Sequence, residues 1–193
     1  MEIIKEKGRE WIKNKLKDNI TYTKLGSLNY LFYGRRKSEQ SKFIKLGRFG
    51  EYFTKELIML NKNLELMFCG IQKINNKNKD VDLIFKDNIN NIIYYRELKG
   101  NIELDTEKLP ATINKCNEIN LFLKKEYDYE INFGILNWSI YNRDKSNLNI
   151  INSFEKNGIK IDHFKDFLNI IDVEWNEEDF YEYFLELGKI FND

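Results

Sequence analysis

The chain of 193 residues predicts an α/β fold in which a mixed sheet is flanked by helices. Three observations carry that expectation. Lys79 to Phe85 and Ile92 to Lys99 are rich in β-branched and aromatic residues, and the turn-prone Asp87-Asn88-Ile89-Asn90-Asn91 lies between them, so the pair reads as a β-hairpin. Apolar residues at helical spacing run through about 38–59 before it and 107–125 after it. A further strand-like run, Ile131-Asn132-Phe133-Gly134-Ile135-Leu136-Asn137-Trp138, closes the series helix, three strands, helix, strand.

Taken in order, the first element is an N-terminal helix over about Ile3 to Lys17, with Ile4, Trp11, Ile12 and Leu16 set among lysines. The next stretch interleaves Tyr22, Tyr30, Phe32 and Tyr33 with Arg35, Arg36 and Lys37, a mixture that suits a nucleic-acid groove and equally a half-buried loop. Ser38, with Glu39 and Gln40 behind it, starts a helix to about Met59 whose apolar stripe is Phe43, Leu46, Gly47, Gly50, Phe53, Leu57 and Leu60. Gly47 and Gly50 each cost a helix about 1 kcal/mol relative to alanine, so close approach to a neighbouring backbone is expected there. Residues 64–74 (Leu64, Leu66, Phe68, Ile71, Ile74) read as one strand ahead of the hairpin. The helix over 107–125 carries Leu109, Ile113, Cys116, Ile119, Leu121 and Leu123, with Pro110 in its first turn, where a proline is tolerated. At the C-terminus, Glu177 to Phe191 forms an amphipathic helix with Phe180, Tyr181, Phe184, Leu185, Leu187 and Ile190, a face that suits either core or a dimer contact.

The chemistry concentrates in the hairpin. If residues 87 and 92 pair next to the turn, Asp82 falls opposite Glu97, and alternation puts Glu97 and Lys99 on one face with Tyr95 and Ile93. Two carboxylates at cross-strand distance repel unless a cation sits between them, and Lys99 stands one pleat further along. An acid–any–lysine triplet is a weak motif alone, and a surface hairpin with a rim Glu–Lys pair is the plain alternative. Glu97-Leu98-Lys99 is nevertheless the one such triplet in the chain, and it closes the most strand-like run. Glu51 follows Gly50 in the upstream helix and can reach the pair as an outer ligand or through water, or stand as an ordinary solvated helix glutamate.

The order of elements, the helix glutamate Glu51 and the Asp82…Glu97-Leu98-Lys99 pair of strands resemble the catalytic core of the PD-(D/E)XK nuclease superfamily, a restriction-endonuclease-like core. Within it the chain is most similar to type II restriction endonucleases, and the run Glu97-Leu98-Lys99-Gly100-Asn101-Ile102-Glu103-Leu104-Asp105-Thr106-Glu107-Lys108 has the same look. The resemblance covers about residues 38–138. It implies that Asp82 and Glu97 bind the metal, that the carbonyl of Leu98 touches it, that Lys99 orients or activates the attacking water, and that Glu51 is the accessory acid. One departure stands out: no proline precedes the first acid, and Asp80 competes with Asp82 for its role. Asp82 is preferred because Val81 and Leu83 flank it within the strand, whereas Asp80 follows a polar Asn/Lys loop.

Such residues suit the reaction. Water must attack an anionic phosphodiester, and a divalent ion held by carboxylates offsets that charge and acidifies water. Hard oxygen donors favour Mg²⁺, with Mn²⁺ as a substitute. A lysine beside them stabilises charge that builds in the transition state. Other classes lack parts. His163 is the single histidine and, among Ile161, Phe164 and Phe167, reads as structural. Cys69 and Cys116 sit far apart in apolar runs without metal-ligand spacing and read as buried thiols of a reducing cytoplasm. No Gly-rich phosphate loop follows a strand, no apolar run approaches the roughly 18 residues of a membrane span, and the first twenty residues are too charged for a secretory signal.

Net charge is zero, but residues 1–99 carry 21 basic against 12 acidic residues and residues 100–193 carry 10 against 19, a segregation that suits one face meeting phosphates. The expectation is therefore a single nuclease domain over 1–193, core about 38–138 with helical additions at both ends, in the cytoplasm. It hydrolyses double-stranded DNA with Mg²⁺, as a homodimer, two-fold symmetry being the simplest way to cut both strands. Arg35, Arg36, Lys37 and Asn101 are the candidate DNA contacts. The alternatives are a repair or junction-resolving nuclease of the same fold, and a DNA-binding module whose carboxylates are idle.

Overall fold

The computed structural model of the protein describes residues 1–16, 21–100, 102, 107–138 and 148–192. The chain forms two compact units, Met1–Phe53 together with Trp175–Asp193, and Thr54–Glu174. No helix among the described residues is long and apolar enough to cross a membrane.

The first unit is helical. Helix α1 (Glu2–Leu16) packs on the C-terminal helix α7 (Glu177–Asn192). Ile4 and Ile12 on one helix and Phe180, Tyr183 and Leu187 on the other are buried, at the three- and four-residue spacings of an apolar stripe. Arg9 Nε donates to Glu186 Oε1 at 2.8 Å and Tyr183 Oη to the carbonyl of Lys5 at 2.9 Å, tying the pair together at its edge. A short helix α2 (Leu28–Tyr33), capped by Ser27, buries none of its residues. Helix α3 (Glu39–Ile58) follows. Its buried apolar residues are Phe49, Phe53, Leu57 and Ile58, with Thr54 buried among them, while Phe43, Leu46 and, just past its end, Leu60 are exposed. The expected stripe is thus rotated: Phe49, Phe53 and Leu57 recur every four residues, and Phe49 and Phe53 pack on Trp11, Phe184 and Trp175. A side chain at Gly47 would meet open space, so no close backbone approach explains that glycine.

The second unit is α/β. Its mixed sheet has the order β1 (Leu64–Leu66), β4 (Leu83–Asp87), β5 (Ile92–Lys99), β6 (Glu130–Asn137) and β7 (Lys160–His163). The first three pair antiparallel, and β6 and β7 continue the sheet in parallel. A separate two-stranded hairpin, β2 (Gly70–Ile74) with β3 (Lys77–Val81), is inserted between β1 and β4. The expected strand over 64–74 is therefore two strands parted by residues 67–69, and the second opens at Gly70, whose φ of 77° is the left-handed conformation that suits glycine. The run 79–85 is also two strands, parted at Asp82.

Alternation assigns the sheet's two faces. Ile84, Ile93, Tyr95 and Ile135 form one core with Cys116, Ile119 and Leu123 of helix α4 (Lys108–Glu126) and Ile150 and Phe154 of α5 (Leu148–Lys156). On the opposite face Phe85 stacks on Tyr94 at 4.9 Å and meets Phe167 of α6 (Phe164–Ile170). Arg96, 1% exposed, is buried on that side; it donates through Nε to Asp162 Oδ2 at 2.6 Å and through its two terminal nitrogens to the carbonyl and Oδ1 of Asn132 at 2.8 Å. One guanidinium thus fastens β5 to β6 and β7 at the position just before Glu97.

Candidate active site

The β4–β5 register runs from Asp87 opposite Ile92 to Leu83 opposite Arg96, so the next position places Asp82 beside Glu97. Asp82 lies where the chain leaves the β2–β3 hairpin and enters β4. The N–H of Leu98 donates to Asp82 Oδ2 at 2.8 Å, which fixes the carboxylate against β5. Ile93, Tyr95 and Glu97 share the α4 side of β5, and Glu97 is 4% exposed.

Each oxygen of Glu97 has its own partners. Lys99 Nζ donates to Oε1 at 2.9 Å; Lys115 Nζ stands 2.5 Å from Oε2, to which the Tyr95 hydroxyl also donates at 3.1 Å. Lys115 Nζ is 3.6 Å from Asp82 Oδ1 as well, so one ammonium touches both carboxylates. A buried carboxylate is tolerated only when paired and hydrogen-bonded, and this one is matched at both oxygens.

The electrostatics separate the two acids. Burial, then the charge of Glu97, pushes Asp82 up to about 7 against the counter-pull of Lys115, the Leu98 N–H and Lys99. Burial also works against ionisation of Glu97, but Lys99 and Lys115 outweigh it and hold that carboxyl below its usual range. Lys115 is desolvated, yet Glu97 and Asp82 raise it. Burial and the nearby Glu97 charge raise the Tyr95 phenol and push the Cys116 thiol up to about 12. Cys116 is thus an inert neighbour, its sulfur 3.9 Å from the Tyr95 hydroxyl.

The structure brings Asp82, Glu97, Leu98 and Lys99 together in the second unit. Leu98 contributes its N–H to Asp82. Asp80 is exposed in β3, opposite Ile71. Glu51 belongs to the first unit, half-buried on α3. Arg35, Arg36 and Lys37 are also in the first unit, where Arg35 lies over the ring of Tyr22 at 4.8 Å and Arg36 over Tyr33 at 4.1 Å. Asn101 lies outside the described residues. His163 caps α6: its backbone N–H donates to Asp166 Oδ2 at 2.9 Å, the reciprocal bond of a capping box.

Lys115 is the member of the site that sequence reasoning passes over. A lysine on a helix ordinarily reads as solvated. The signal lies in its spacing: Thr112, Cys116, Ile119, Asn120 and Leu123 are the buried residues of α4, and position 115 is three after Thr112 and four before Ile119, on the flank of that stripe.

Two carboxylates with hard oxygen donors fit a divalent cation such as Mg²⁺, and the Lys115 ammonium marks a place where one positive charge satisfies both. Among the described residues no group of three or more His, Cys, Asp or Glu side chains is arranged to hold a metal ion. No family model matches the chain, and no curated protein matches it.

Proposed function

We propose that the protein is a Mg²⁺-dependent endonuclease that hydrolyses phosphodiester bonds of double-stranded DNA, with a restriction-endonuclease-like core and sequence-specific cleavage of the type II kind. The observation that carries this reading is the convergence of Asp82 and Glu97 from neighbouring strands onto two lysines, Lys99 and Lys115, within hydrogen-bond reach of Glu97. An ordinary rim ion pair pairs one acid with one base in water. Here two acids and two bases share a recess, one acid almost fully buried. The antiparallel series β1, β4, β5, followed by helix α4 and parallel β6, supports it as the arrangement expected for such a core.

Asp82 and Glu97 would hold the cation. When bound, that cation offsets phosphate charge and acidifies the attacking water. The chain's own contribution is positioning. Leu98 N–H holds Asp82 in one orientation, and the Tyr95 hydroxyl does the same for Glu97. Lys99 and Lys115 supply two cations aimed into the recess, where the phosphate gains negative charge as water attacks. Both remain about one-fifth to one-quarter exposed, so each reaches solvent and an incoming phosphate as well as Glu97.

Cutting both strands of a symmetric site calls for two such recesses, and a two-fold pair of chains provides them. Helix α2 supports that part of the reading, because Leu28, Leu31 and Phe32 are each at least 70% exposed. The direct test is incubation of the purified protein with Mg²⁺ and long duplex DNA. Discrete fragments are expected; cuts confined to branched or damaged DNA would assign a structure-specific nuclease, and intact DNA would refute hydrolysis.

A further inference from the structure

We propose that the β2–β3 hairpin is a base-reading arm that enters the major groove of duplex DNA beside the phosphate to be cut. The inference rests on the nuclease reading for the position of that phosphate, and on the hairpin itself for the rest.

The hairpin is built as a rigid ribbon. Asn75 and Asn76 form its two-residue turn with φ of 49° and 63°, the left-handed pair that a tight hairpin needs and that asparagine adopts readily. Its inner face is committed to the fold. Ile74 and Val81 belong to the core cluster that includes Cys116 and Ile119, Lys79 is paired with Glu118 on α4, and Gln72 Nε2 donates to the carbonyl of Cys69 at 2.8 Å.

The outer face has no such explanation. Alternation places Ile71, Lys73, Asn78 and Asp80 there, all exposed, with Ile71 at 75%. Asn75, Asn76 and Lys77 at the tip are exposed too. A small hairpin gains nothing for its own stability from a solvated isoleucine among asparagines and lysines. These are, however, the residue types that read base edges: asparagine pairs with adenine N6 and N7, lysine with guanine O6 and N7, and an apolar side chain meets the thymine methyl. With Lys79 committed to Glu118, the outer face and tip carry Lys73 and Lys77 against one acid, Asp80, which suits a polyanion.

The dimensions agree. Two strands about 4.8 Å apart make a ribbon that a groove about 12 Å wide admits, and five residues at about 3.4 Å each reach roughly 17 Å. That length spans about five base-pair steps. The arm also starts at the right place: Val81, its last residue, precedes Asp82 directly. An arm whose base adjoins the carboxylates therefore reads bases within about five pairs of the cut. The deep, narrow groove of double-stranded RNA does not admit such a ribbon.

The test is selection from a randomised duplex library by the full-length protein and by the variant Ile71→Ala/Lys73→Ala/Asn78→Ala, in Ca²⁺ so that bound DNA survives, with circular dichroism to check folding. Wild type is expected to enrich a motif, and the variant to lose about 5- to 150-fold in discrimination at one or more positions near the cut. An identical motif and affinity in the variant overturns the arm. So does weaker binding to all sequences alike, which is phosphate contact only, or the absence of any enriched motif with wild type. If the triple variant unfolds, Asn78→Asp, an exposed isosteric change, carries the same comparison. Cleavage is scored separately: a wild-type protein that enriches a motif through the hairpin but cuts nothing refutes the nuclease and leaves the arm standing, whereas a cutter whose motif ignores the hairpin refutes only the arm.

Discussion

Lys115 Nζ lies 2.5 Å from Glu97 Oε2, and the same ammonium reaches Asp82 Oδ1 at 3.6 Å. A helix thus adds, beside Lys99 of β5, a positive charge that offsets the repulsion between buried Glu97 and half-buried Asp82. The same electrostatic demand is what a divalent cation would satisfy, so lysine and metal are alternative counter-charges for one pair of acids.

Replacing that lysine should expose the exchange. Lys115→Met keeps the length of the side chain and removes the charge. In EDTA the variant should be less stable than wild type by about 2–3 kcal/mol, because Glu97 loses one of its ionic partners in a recess. Saturating Mg²⁺ or Ca²⁺ should narrow the gap, since a cation at free concentration c stabilises the folded state by RT ln(1 + c/Kd) and the variant, freed of the competing ammonium, should bind it more tightly. Thermal melts of both proteins with and without the cation decide it; an equal gap in both conditions would show that lysine and cation do not share the carboxylates.

The carboxylates themselves give the sharpest prediction about activity. Asp82→Asn and Glu97→Gln should each lower the cleavage rate by about 10²- to 10³-fold or more with the fold intact, and Lys99→Ala should do likewise while leaving DNA binding in Ca²⁺ near wild type. On the nuclease reading, affinity would come mainly from phosphate contacts spread along the duplex, whereas these three side chains would act at one phosphate. Asp80→Asn is the control, being exposed in β3. A larger loss at Asp80 than at Asp82 in single-turnover kinetics would reassign the first acid.

What can be read directly from the residues is local. The β4–β5 register is legible because the turn after Asp87 is short and the flanking residues alternate, and one register then determines which residue faces Glu97. The helices α1, α3, α4 and α7 are legible from apolar spacing over four or more turns. The rest depends on partners that periodicity cannot name. Asn75-Asn76 is a hairpin turn, but the polar Lys73–Lys79 stretch looks like a loop until β2 and β3 pair. α5, α6 and β7 are too short to announce themselves, although Phe154 and Phe167 prove fully buried. The buried face of α3 is set by the aromatic cluster of α7 and α1 rather than by its own composition. Lys115 becomes visible only when α4 is docked on β5.

Asp87 makes a pH prediction of known sign. Burial works against its charge, but the N–H groups of Asn90 and Ile89 and the Asn90 side chain donate to it at 2.7–3.0 Å and hold it below the ordinary carboxylate range. A depressed acid contributes stability above its unfolded value, near 3.9, and loses it as pH falls through the folded value. Asp87→Asn should therefore cost about 1–2 kcal/mol at pH 7, where three bonds to a charged acceptor weaken, and the difference from wild type should shrink steadily below about pH 4. Urea denaturation of both proteins across pH 3–7 measures the difference directly, with other acids cancelling between them. A difference that stays constant to pH 3 would mean that the turn does not depend on the carboxylate's charge.

The last prediction concerns assembly. Helix α2 has six residues and buries none of them, and Leu28, Leu31 and Phe32 stand 71%, 70% and 73% exposed. An isolated helix of that length is unstable in water, and Ser27 and Gly34 at its ends satisfy only its terminal backbone groups. In the same unit Phe43 and Ile44 of α3 are exposed as well. A monomer rarely leaves so many large apolar side chains in water, and on the nuclease reading a two-fold pair is the simplest way to cut both strands. The protein should therefore run as a dimer in light scattering at micromolar concentration, and Leu31→Ser/Phe32→Ser should shift it to monomer. Because Asp82, Glu97, Lys99 and Lys115 all lie in the other unit, the monomeric variant should keep its metal affinity by calorimetry while nicking supercoiled DNA instead of linearising it. Wild-type protein that remains monomeric at about 100 μM, with and without DNA, would overturn the two-fold arrangement and leave α2 to some other cover.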